Sequence, residues 1–282
     1  MVSAKQVFVL SLVGAAALVV MLDRLPESPA VSGGGPPLIV YCAVALKPAL
    51  DAAARAYQAR SGVAIQPQYG GSGTLLSNLR VAQRGDLFLP ADGSYLEMAR
   101  RAGLVSETVP VARMTPVIGV RVGNPQGIRR LADLRRGGLR VALANPDAAA
   151  IGKVVRELLI ASGDWPAFSR RITVFQPTVD EVANDIRLGT VDAGIVWDAT
   201  VRQFTGLAAV ADPLLSGGAR PIGVGVLRCS TQPAAALALA RFLGAADAGG
   251  QAFAAAGYAP PLPRPPEPAR SRDSPALRGV PP

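Results

Sequence analysis

A glycine-rich turn followed at once by a helical pattern is the first place where this sequence could do chemistry. The stretch YGGSG, residues 69–73, precedes a helix-like run over residues 74–80. Two interpretations are open. The glycines could simply permit a tight turn. Alternatively, bare backbone N–H groups, the Ser72 hydroxyl and the positive end of the helix dipole could converge into a socket for an anion.

Three other strand-to-helix junctions resemble the glycine turn in lacking bulky charged side chains. They lie at residues 42–46, 145–152 and 176–180, and in the last of these Thr178 stands where a helix N-cap belongs. Each junction alone is ordinary helix-start chemistry. Together with the glycine turn they predict a neutral cage of N–H donors, which can hold an oxyanion without a counter-ion because the helix ends supply partial positive charge.

The composition excludes several kinds of chemistry. Among 282 residues there is no histidine, which rules out Ser-His-Asp and Cys-His catalysis and disfavours a zinc site. The pair Asp86 and Asp92 is better explained by support of a strand end and capping of the next helix than by acid–base catalysis. We therefore expect a binding protein that has no enzymatic activity and no cofactor.

The charge of the chain indicates the kind of partner. A formal net charge of +9 suits a negatively charged partner. Arginine-rich helices and aromatic-studded strands are absent from the sequence, which argues against nucleic acid.

The two ends of the chain differ from its middle. Lys5 followed by an apolar run over residues 7–22 predicts an export signal or an N-terminal membrane anchor over residues 1–30, and either would place the folded part in the periplasm or another extracytoplasmic space. Residues 31–37 are predicted to be a flexible linker, and residues 260–282 a disordered tail rich in proline and arginine.

The middle of the chain alternates between strand and helix patterns, which predicts an α/β fold with mostly parallel sheets flanked by helices. Strands are predicted over residues 38–42, 63–69, 86–90, 116–120, 139–143, 172–175, 193–197 and 221–227. Helices are predicted over residues 46–61, 75–84, 94–102, 128–135, 151–162, 179–188, 233–243 and 249–256.

The order of these elements predicts two lobes. Residues 38–114 and 221–259 would form lobe I, and residues 115–220 would form lobe II, with the late strand returning to the first lobe. Ligands of such sheets lie at the carboxyl ends of the strands, so a cleft between the lobes is the expected binding site. Cys42 and Cys229 could pair outside the cytosol, but their apolar surroundings favour buried free thiols.

Four motifs occur in the order seen in a known family. They are YGGSGTL at residues 69–75, GDLFLPAD at 85–92, NP at 145–146 and GIVW at 194–197. In these motifs the chain resembles the molybdate-binding proteins of ABC importers, which are type II periplasmic substrate-binding proteins. The resemblance covers nearly all of residues 38–259. It implies a two-lobed fold with the ligand in the cleft between the lobes.

The resemblance also implies which residues contact the ligand. Such proteins hold a tetrahedral oxyanion with two serine hydroxyls, backbone amides from two helix starts and a tyrosine hydroxyl. By position, Ser72 matches one serine, and the amides fall at Ile151 and Val179. Ala45 stands in place of the other serine, and Trp197 in place of the tyrosine.

Ala45 and Trp197 bear on which anion is bound. Losing two hydroxyl donors implies either a weakened molybdate site or a cleft shaped for another anion, unless amides near Ala45 and Gly73 compensate. Ser72, Ile151 and Val179 would contact molybdate or tungstate only through the oxygen atoms of the oxyanion, without coordinating the metal directly.

The expected partners follow from the same resemblance. They are a small oxyanion, most simply molybdate or tungstate, and an ABC permease in the membrane, with the protein itself a monomer. A membrane-anchored anion sensor, or a binding protein for a different anion, is the alternative. An enzyme acting on a phosphorylated or carboxylated metabolite is disfavoured by the missing acid–base groups.

Overall fold

The structure, a computed structural model, describes residues 35–261. Within this range no helix is both long and apolar enough to span a membrane. The export signal or anchor predicted over residues 1–30, and nearly all of the tail predicted over residues 260–282, lie outside the described residues.

Among residues 35–261, ten strands form two five-stranded sheets. In spatial order the first sheet consists of β2 (Ile65–Gly70), β1 (Leu38–Ala43), β3 (Leu87–Leu89), β10 (Arg220–Leu227) and β4 (Val105–Met114). The second sheet consists of β7 (Val174–Gln176), β6 (Val141–Ala144), β8 (Ala193–Trp197), β5 (Pro116–Arg121) and β9 (Leu207–Val210).

Helices cover both sheets. They are α1 (Lys47–Ser61), α2 (Ser72–Ala82), α3 (Gly93–Arg101), α4 (Ala150–Ala161), α5 (Trp165–Ser169), α6 (Val179–Leu188), α7 (Asp198–Gln203), α8 (Pro213–Ser216), α9 (Pro233–Gly244) and α10 (Gly249–Ala255), with short 3-10 turns at Val44–Leu46 and Leu131–Arg135. The predicted α/β class is thus confirmed.

Each sheet is mixed. In the first, β1 pairs in parallel with β2 and β3, whereas β10 runs antiparallel to β3 and β4. The second sheet repeats this arrangement, with β6 parallel to β7 and β8 and with β5 antiparallel to β8 and β9. The antiparallel pairs arise where the chain crosses between the sheets: β4 ends at Met114 and β5 begins at Pro116, and the chain returns at Arg220.

Local sequence signals explain how the elements near the sheet edges begin and end. Gly62 ends α1 with φ of 72°, a left-handed conformation that glycine adopts without strain. Asp92 accepts a hydrogen bond from the Ser94 amide (3.0 Å) and caps α3. Asp86 accepts one from the Ile39 amide (2.8 Å) and ties the start of β3 to β1. The roles predicted for the two aspartates are confirmed.

One helix prediction is wrong. Residues 128–135 were expected to form an α-helix. In the structure the helical part of this segment is Leu131–Arg135, which is a 3-10 helix. The Asp133 carboxylate accepts hydrogen bonds from the amides of Arg129 (2.8 Å) and Arg130 (3.2 Å). These side-chain bonds compete with α-helical hydrogen bonding at the start of the segment.

Candidate functional site

A small cavity lies where the carboxyl ends of β1, β2 and β3 meet those of β6, β7 and β8. It therefore lies between the two sheets, the place expected for a ligand in sheets of this kind. Its lining consists of small, apolar or hydroxyl-bearing residues: Ala43, Val44, Ala45, Gly70, Gly71, Ser72, Ala91, Ala149, Ala150, Ile151, Thr178, Val179 and Trp197.

Helix starts supply the polar groups of this cavity. Ser72, Ile151 and Val179 lie in the first turns of α2, α4 and α6, where backbone N–H groups have no acceptor within their own helix. Within residues 35–261 no other backbone carbonyl accepts from these three amides. Three helix dipoles thus present positive ends and N–H groups to one small space, an arrangement suited to an anion.

Ser72 contributes a hydroxyl as well as an amide. Its side chain is buried, and its Oγ accepts a hydrogen bond from the Ala91 amide (3.1 Å). Because Oγ accepts from Ala91, its own O–H can be directed at an acceptor in the cavity. Ala91 follows β3, so this contact ties the third strand of the first sheet to the start of α2.

The glycines next to Ser72 bring the two sides of the cavity together. The amides of Gly73 and Thr74 both donate to the Ala148 carbonyl of the opposite side, at 2.9 and 3.3 Å. A Cβ atom on Gly71 would lie 2.3 Å from the same carbonyl oxygen, and one on Gly73 would lie 2.4 Å from that of Asp147. Any side chain here would therefore force the two sides apart.

The six residues expected at the site do not all line the cavity. Ala45, Ser72, Ile151, Val179 and Trp197 do, and are brought together from five different segments. Gly73 lies outside the lining, and its amide is directed at Ala148.

The sequence patterns missed some of the contributions. Ala91 and Ala148 act through backbone groups, so no side-chain type signals their role. The one hint at Ala91 was that it follows a buried strand at the same sheet edge.

Ala45 and Trp197 both form part of the cavity wall. The segment holding Ala45 is fixed by the Tyr258 hydroxyl, which donates to the Ala45 carbonyl and accepts from Gln203 Nε2 (2.8 Å). Trp197 ends β8 and is buried, so its indole is a large, fixed part of the cavity boundary.

Among the described residues no charged side chain lines the cavity, although Asp92, Asp180 and Asp198 each directly follow a lining residue. Asp180, next to Val179, differs from the other two in its hydrogen bonding. Its Oδ1 is buried and has no hydrogen-bond partner among the described residues. Burial, together with the neighbouring Glu181, raises the pKa of the Asp180 carboxyl to about 6, against the opposing influence of Lys47. Thr178 caps the same helix, with Glu181 completing a capping box, as its position predicted.

Two further observations bear on the chemistry of the site. Within residues 35–261 no three His, Cys, Asp or Glu side chains are grouped so as to hold a metal ion. Cys42 and Cys229 are both free thiols in this structure.

The cavity is narrow. The cavity volume is about 10 Å³, which is the space that a single water molecule needs. A tetrahedral oxyanion has five heavy atoms, so its entry requires the two sides to separate slightly. The contacts that hold the sides together would therefore influence the entry of any molecule larger than water.

Two mixed sheets flanked by helices, with helix N-termini meeting at a cavity between their strand ends, are the arrangement of two-sided solute-binding proteins of the periplasmic type. Residues 38–259 match the family described as bacterial extracellular solute-binding protein, and the chain belongs to that family. Members of this class bind solutes and are not enzymes.

The relatives agree with this assignment. The chain is 29% identical over 243 residues to the molybdate-binding protein ModA of Mycobacterium tuberculosis strain H37Rv, covering 83% of this chain and 91% of that protein. The periplasmic molybdate-binding protein of Azotobacter vinelandii superposes with a TM-score of 0.67 at 20% identity, covering 80% of this chain and 100% of that one. The sulfate-binding protein SubI of M. tuberculosis H37Rv superposes with a TM-score of 0.69 at 19% identity, covering 80% and 87%.

Proposed function

We propose that this protein binds a tetrahedral oxyanion of the molybdate or tungstate kind in the cavity between its sheets and delivers it to an ABC permease. One observation carries the proposal: three helix N-termini and the Ser72 hydroxyl converge on a cavity that no charged side chain lines. Fixed N–H dipoles can bind a dianion in a low-dielectric site without a neutralising cation. The 29% identity to a molybdate-binding protein supports the same ligand class.

The proposed ligand contacts are the hydroxyl and amide of Ser72 and the amides of Ile151 and Val179. Ala45, Gly73 and Trp197 complete the proposed site: Ala45 and Trp197 as walls, and Gly73 as a donor once the sides separate. In this proposal residues 38–114 and 221–259 act as lobe I, and residues 115–220 as lobe II.

Titration calorimetry of the purified protein with molybdate, tungstate, sulfate and phosphate tests the function. We expect saturable one-to-one binding of molybdate or tungstate that is tighter than binding of phosphate. Failure of all four oxyanions to bind would overturn the proposal. Ser72→Ala serves as the site-directed check, because it removes a donor without adding bulk.

A second ligand identity has its own support. Ala45 cannot donate a side-chain hydrogen bond, and the Trp197 indole takes more room than a phenol. A smaller tetrahedral anion such as sulfate would suit a narrower site with fewer donors. Sulfate binding tighter than molybdate in the same titration would favour this alternative.

Export and delivery complete the proposal. Residues 1–30 carry the pattern of an export signal or anchor, which would place the cavity outside the cytosol where imported solutes are captured. We propose that the protein works as a monomer that docks on a membrane permease. If residues 1–30 are retained and no permease binds the protein, an anchored anion sensor is the remaining function.

A further inference from the structure

Four charged side chains form an alternating ring beside the cavity. Lys153 Nζ lies 2.5 Å from the Glu157 carboxylate and 3.8 Å from that of Asp92. Arg220 lies 3.9 Å from Asp92 and 3.5 Å from Glu157. Each cation thus stands between two anions, and the ring is neutral overall.

The ring connects the two sheets. Lys153 and Glu157 belong to α4, which packs on the second sheet, whereas Asp92 precedes α3 and Arg220 begins β10 in the first. Lys153 Nζ also donates to Ser94 Oγ on the first side (3.0 Å). The Lys153–Asp92 and Arg220–Glu157 contacts therefore both cross the gap between the sheets.

The ring is adjacent to both walls of the cavity. Asp92 directly follows Ala91, whose amide donates to Ser72 Oγ, and Lys153 is two residues beyond Ile151 on the same helix. Asp92 is 1% exposed and the Lys153 side chain 18% exposed, so this pair is largely shielded from solvent and from salt.

We propose that Lys153 is a positioning residue for oxyanion binding. Through Asp92 and Ser94 it holds the side of the cavity that contains Ser72 against the side that contains Ile151. It does not line the cavity, so in this proposal it acts without touching the anion. This inference rests on the proposed function only for the identity of the ligand, because closure of the two sides can be measured without any ligand.

The physical reason is the burial of Asp92. When the sides are together, Asp92 is removed from water and depends on Lys153, Arg220 and Ser94 for compensation. When the sides separate, water can solvate the carboxylate. Removing the Lys153 ammonium therefore penalises the closed form more than the open one, because breaking a buried pair leaves a charge uncompensated.

Lys153→Met tests the proposal, with Lys153→Arg as the rescue variant. We expect Lys153→Met to raise the Kd for the bound oxyanion about tenfold, chiefly through faster dissociation, and Lys153→Arg to restore most of the affinity. Arg100→Met is the matched control. It removes one positive charge and an ion pair, but its partner Glu97 lies on the same helix.

Closure is measured separately, by pulsed electron spin resonance between labels on the two sides. Val81→Cys on α2 and Val122→Cys after β5 provide exposed sites, 88% and 66% accessible, in a Cys229→Ser background that leaves only the buried Cys42. Without ligand, Lys153→Met should shift the distance distribution away from that of the wild type and Arg100→Met should not. If Lys153→Met fails to fold, Glu157→Gln, which weakens the other crossing contact, should give a smaller shift in the same direction.

The outcomes separate this inference from the proposed function. A distance shift in Lys153→Met together with no binding of any oxyanion would support the ring and reject the function. Equal label distances and equal oxyanion affinity in the wild type and Lys153→Met would reject the positioning role of Lys153. The proposed function would be unaffected by that result. Loss of affinity in Lys153→Met that Lys153→Arg does not restore, without a distance shift, would also overturn it.

Discussion

The two sides of the cavity offer hydrogen bonds in different ways. On the first side, Ser72 presents a side-chain hydroxyl held by the Ala91 amide, next to glycines that must lack side chains. On the second side, Ile151 and Val179 present only backbone amides at the starts of α4 and α6.

This difference predicts where the protein tolerates mutation. Backbone donors survive most substitutions, because any residue other than proline carries the same N–H group. A hydroxyl donor, by contrast, is lost when serine is replaced by alanine. A close backbone contact at a glycine is lost when a Cβ atom is added there. We therefore expect Ser72 and Gly71 on the first side to be mutationally sensitive and the amide donors Ile151 and Val179 on the second side to be robust, and the following predictions test this contrast.

Gly71→Ala should have the largest effect. The new Cβ would lie 2.3 Å from the Ala148 carbonyl oxygen, so the two sides could not meet as they do. Because Gly71 has φ of −70°, alanine fits its backbone and the fold should persist. We expect oxyanion affinity to fall about a hundredfold, or about 2.7 kcal/mol, by calorimetry.

Gly137→Ala is the control for Gly71→Ala, because a Cβ there meets nothing within 4 Å. It should bind like the wild type. Wild-type affinity in Gly71→Ala would mean that binding does not require this close approach.

Ser72→Ala should weaken oxyanion binding about tenfold or more. A hydrogen bond to a charged acceptor contributes about 1.5 to 3 kcal/mol, and Ala91 would also lose its acceptor. Calorimetry measures the loss, with Ser77→Ala on the exposed face of the same helix as the control. Equal affinities for Ser72→Ala and the control would show that the glycine loop is only a turn.

On the second side, Val179→Ala should change the affinity by less than about twofold, since its amide remains.

Restoring hydroxyl groups at Ala45 and Trp197 should strengthen molybdate binding. Ala45→Ser together with Trp197→Tyr returns the donors that the resemblance to molybdate-binding proteins implies. We expect molybdate affinity to rise about tenfold, within the range of one added hydrogen bond to a charged group. Nanomolar molybdate binding by the unmodified protein, with no gain from the double change, would refute a selectivity role for Ala45 and Trp197.

Asp180→Asn should act on stability, and its effect should depend on pH. The carboxyl has its pKa raised to about 6 in the folded protein, chiefly by burial. A carboxyl whose pKa is raised by folding destabilises the folded state at pH values above that raised pKa. The destabilisation disappears once the pH falls below the pKa that the same carboxyl has in the unfolded chain. Asp180→Asn should therefore raise the free energy of unfolding at pH 7.5 by about 1 kcal/mol, since some solvent contact and the helix N-terminus offset part of the shift.

Urea unfolding at pH 7.5 and pH 4 checks this prediction. The gain from Asp180→Asn should shrink at pH 4, where the wild-type carboxyl is itself mostly neutral. A gain of equal size at both pH values would show that it does not arise from titration of this group.

Much of the fold could be predicted because its repeated elements carry strong local signals. Val179–Leu188 and Ala193–Trp197 have the predicted bounds, helped by the Thr178 cap and by a continuous buried run. Strand β4 (Val105–Met114) was missed, because several of its residues face solvent and Pro110 interrupts it. Proline is tolerated there because β4 is an edge strand whose neighbouring strand in the sheet is β10.

The site could be predicted only as far as side chains revealed it. Ser72 and the glycines stand out by residue type, and the amide of Val179 could be placed from its helix start. The Ala91 amide and the Ala148 carbonyl could not, because an alanine has the same backbone groups in a site as anywhere else. Their roles depend on how the chain brings distant segments together.

The Ala148 carbonyl has a consequence for how the protein rests between encounters with solute. Its oxygen accepts from the amides of Gly73 and Thr74 at the start of α2, the same kind of donors that an anion's oxygen would seek. The Ala148 oxygen thus occupies the place that an oxygen of a bound anion could take at the Gly73 amide. Under the proposed function an anion would compete with this carbonyl only at Gly73, because the amides of Ser72, Ile151 and Val179 have no backbone acceptor to displace. Release of such an anion would be eased at the same residue, because the Gly73 amide can return to the Ala148 carbonyl when the anion leaves.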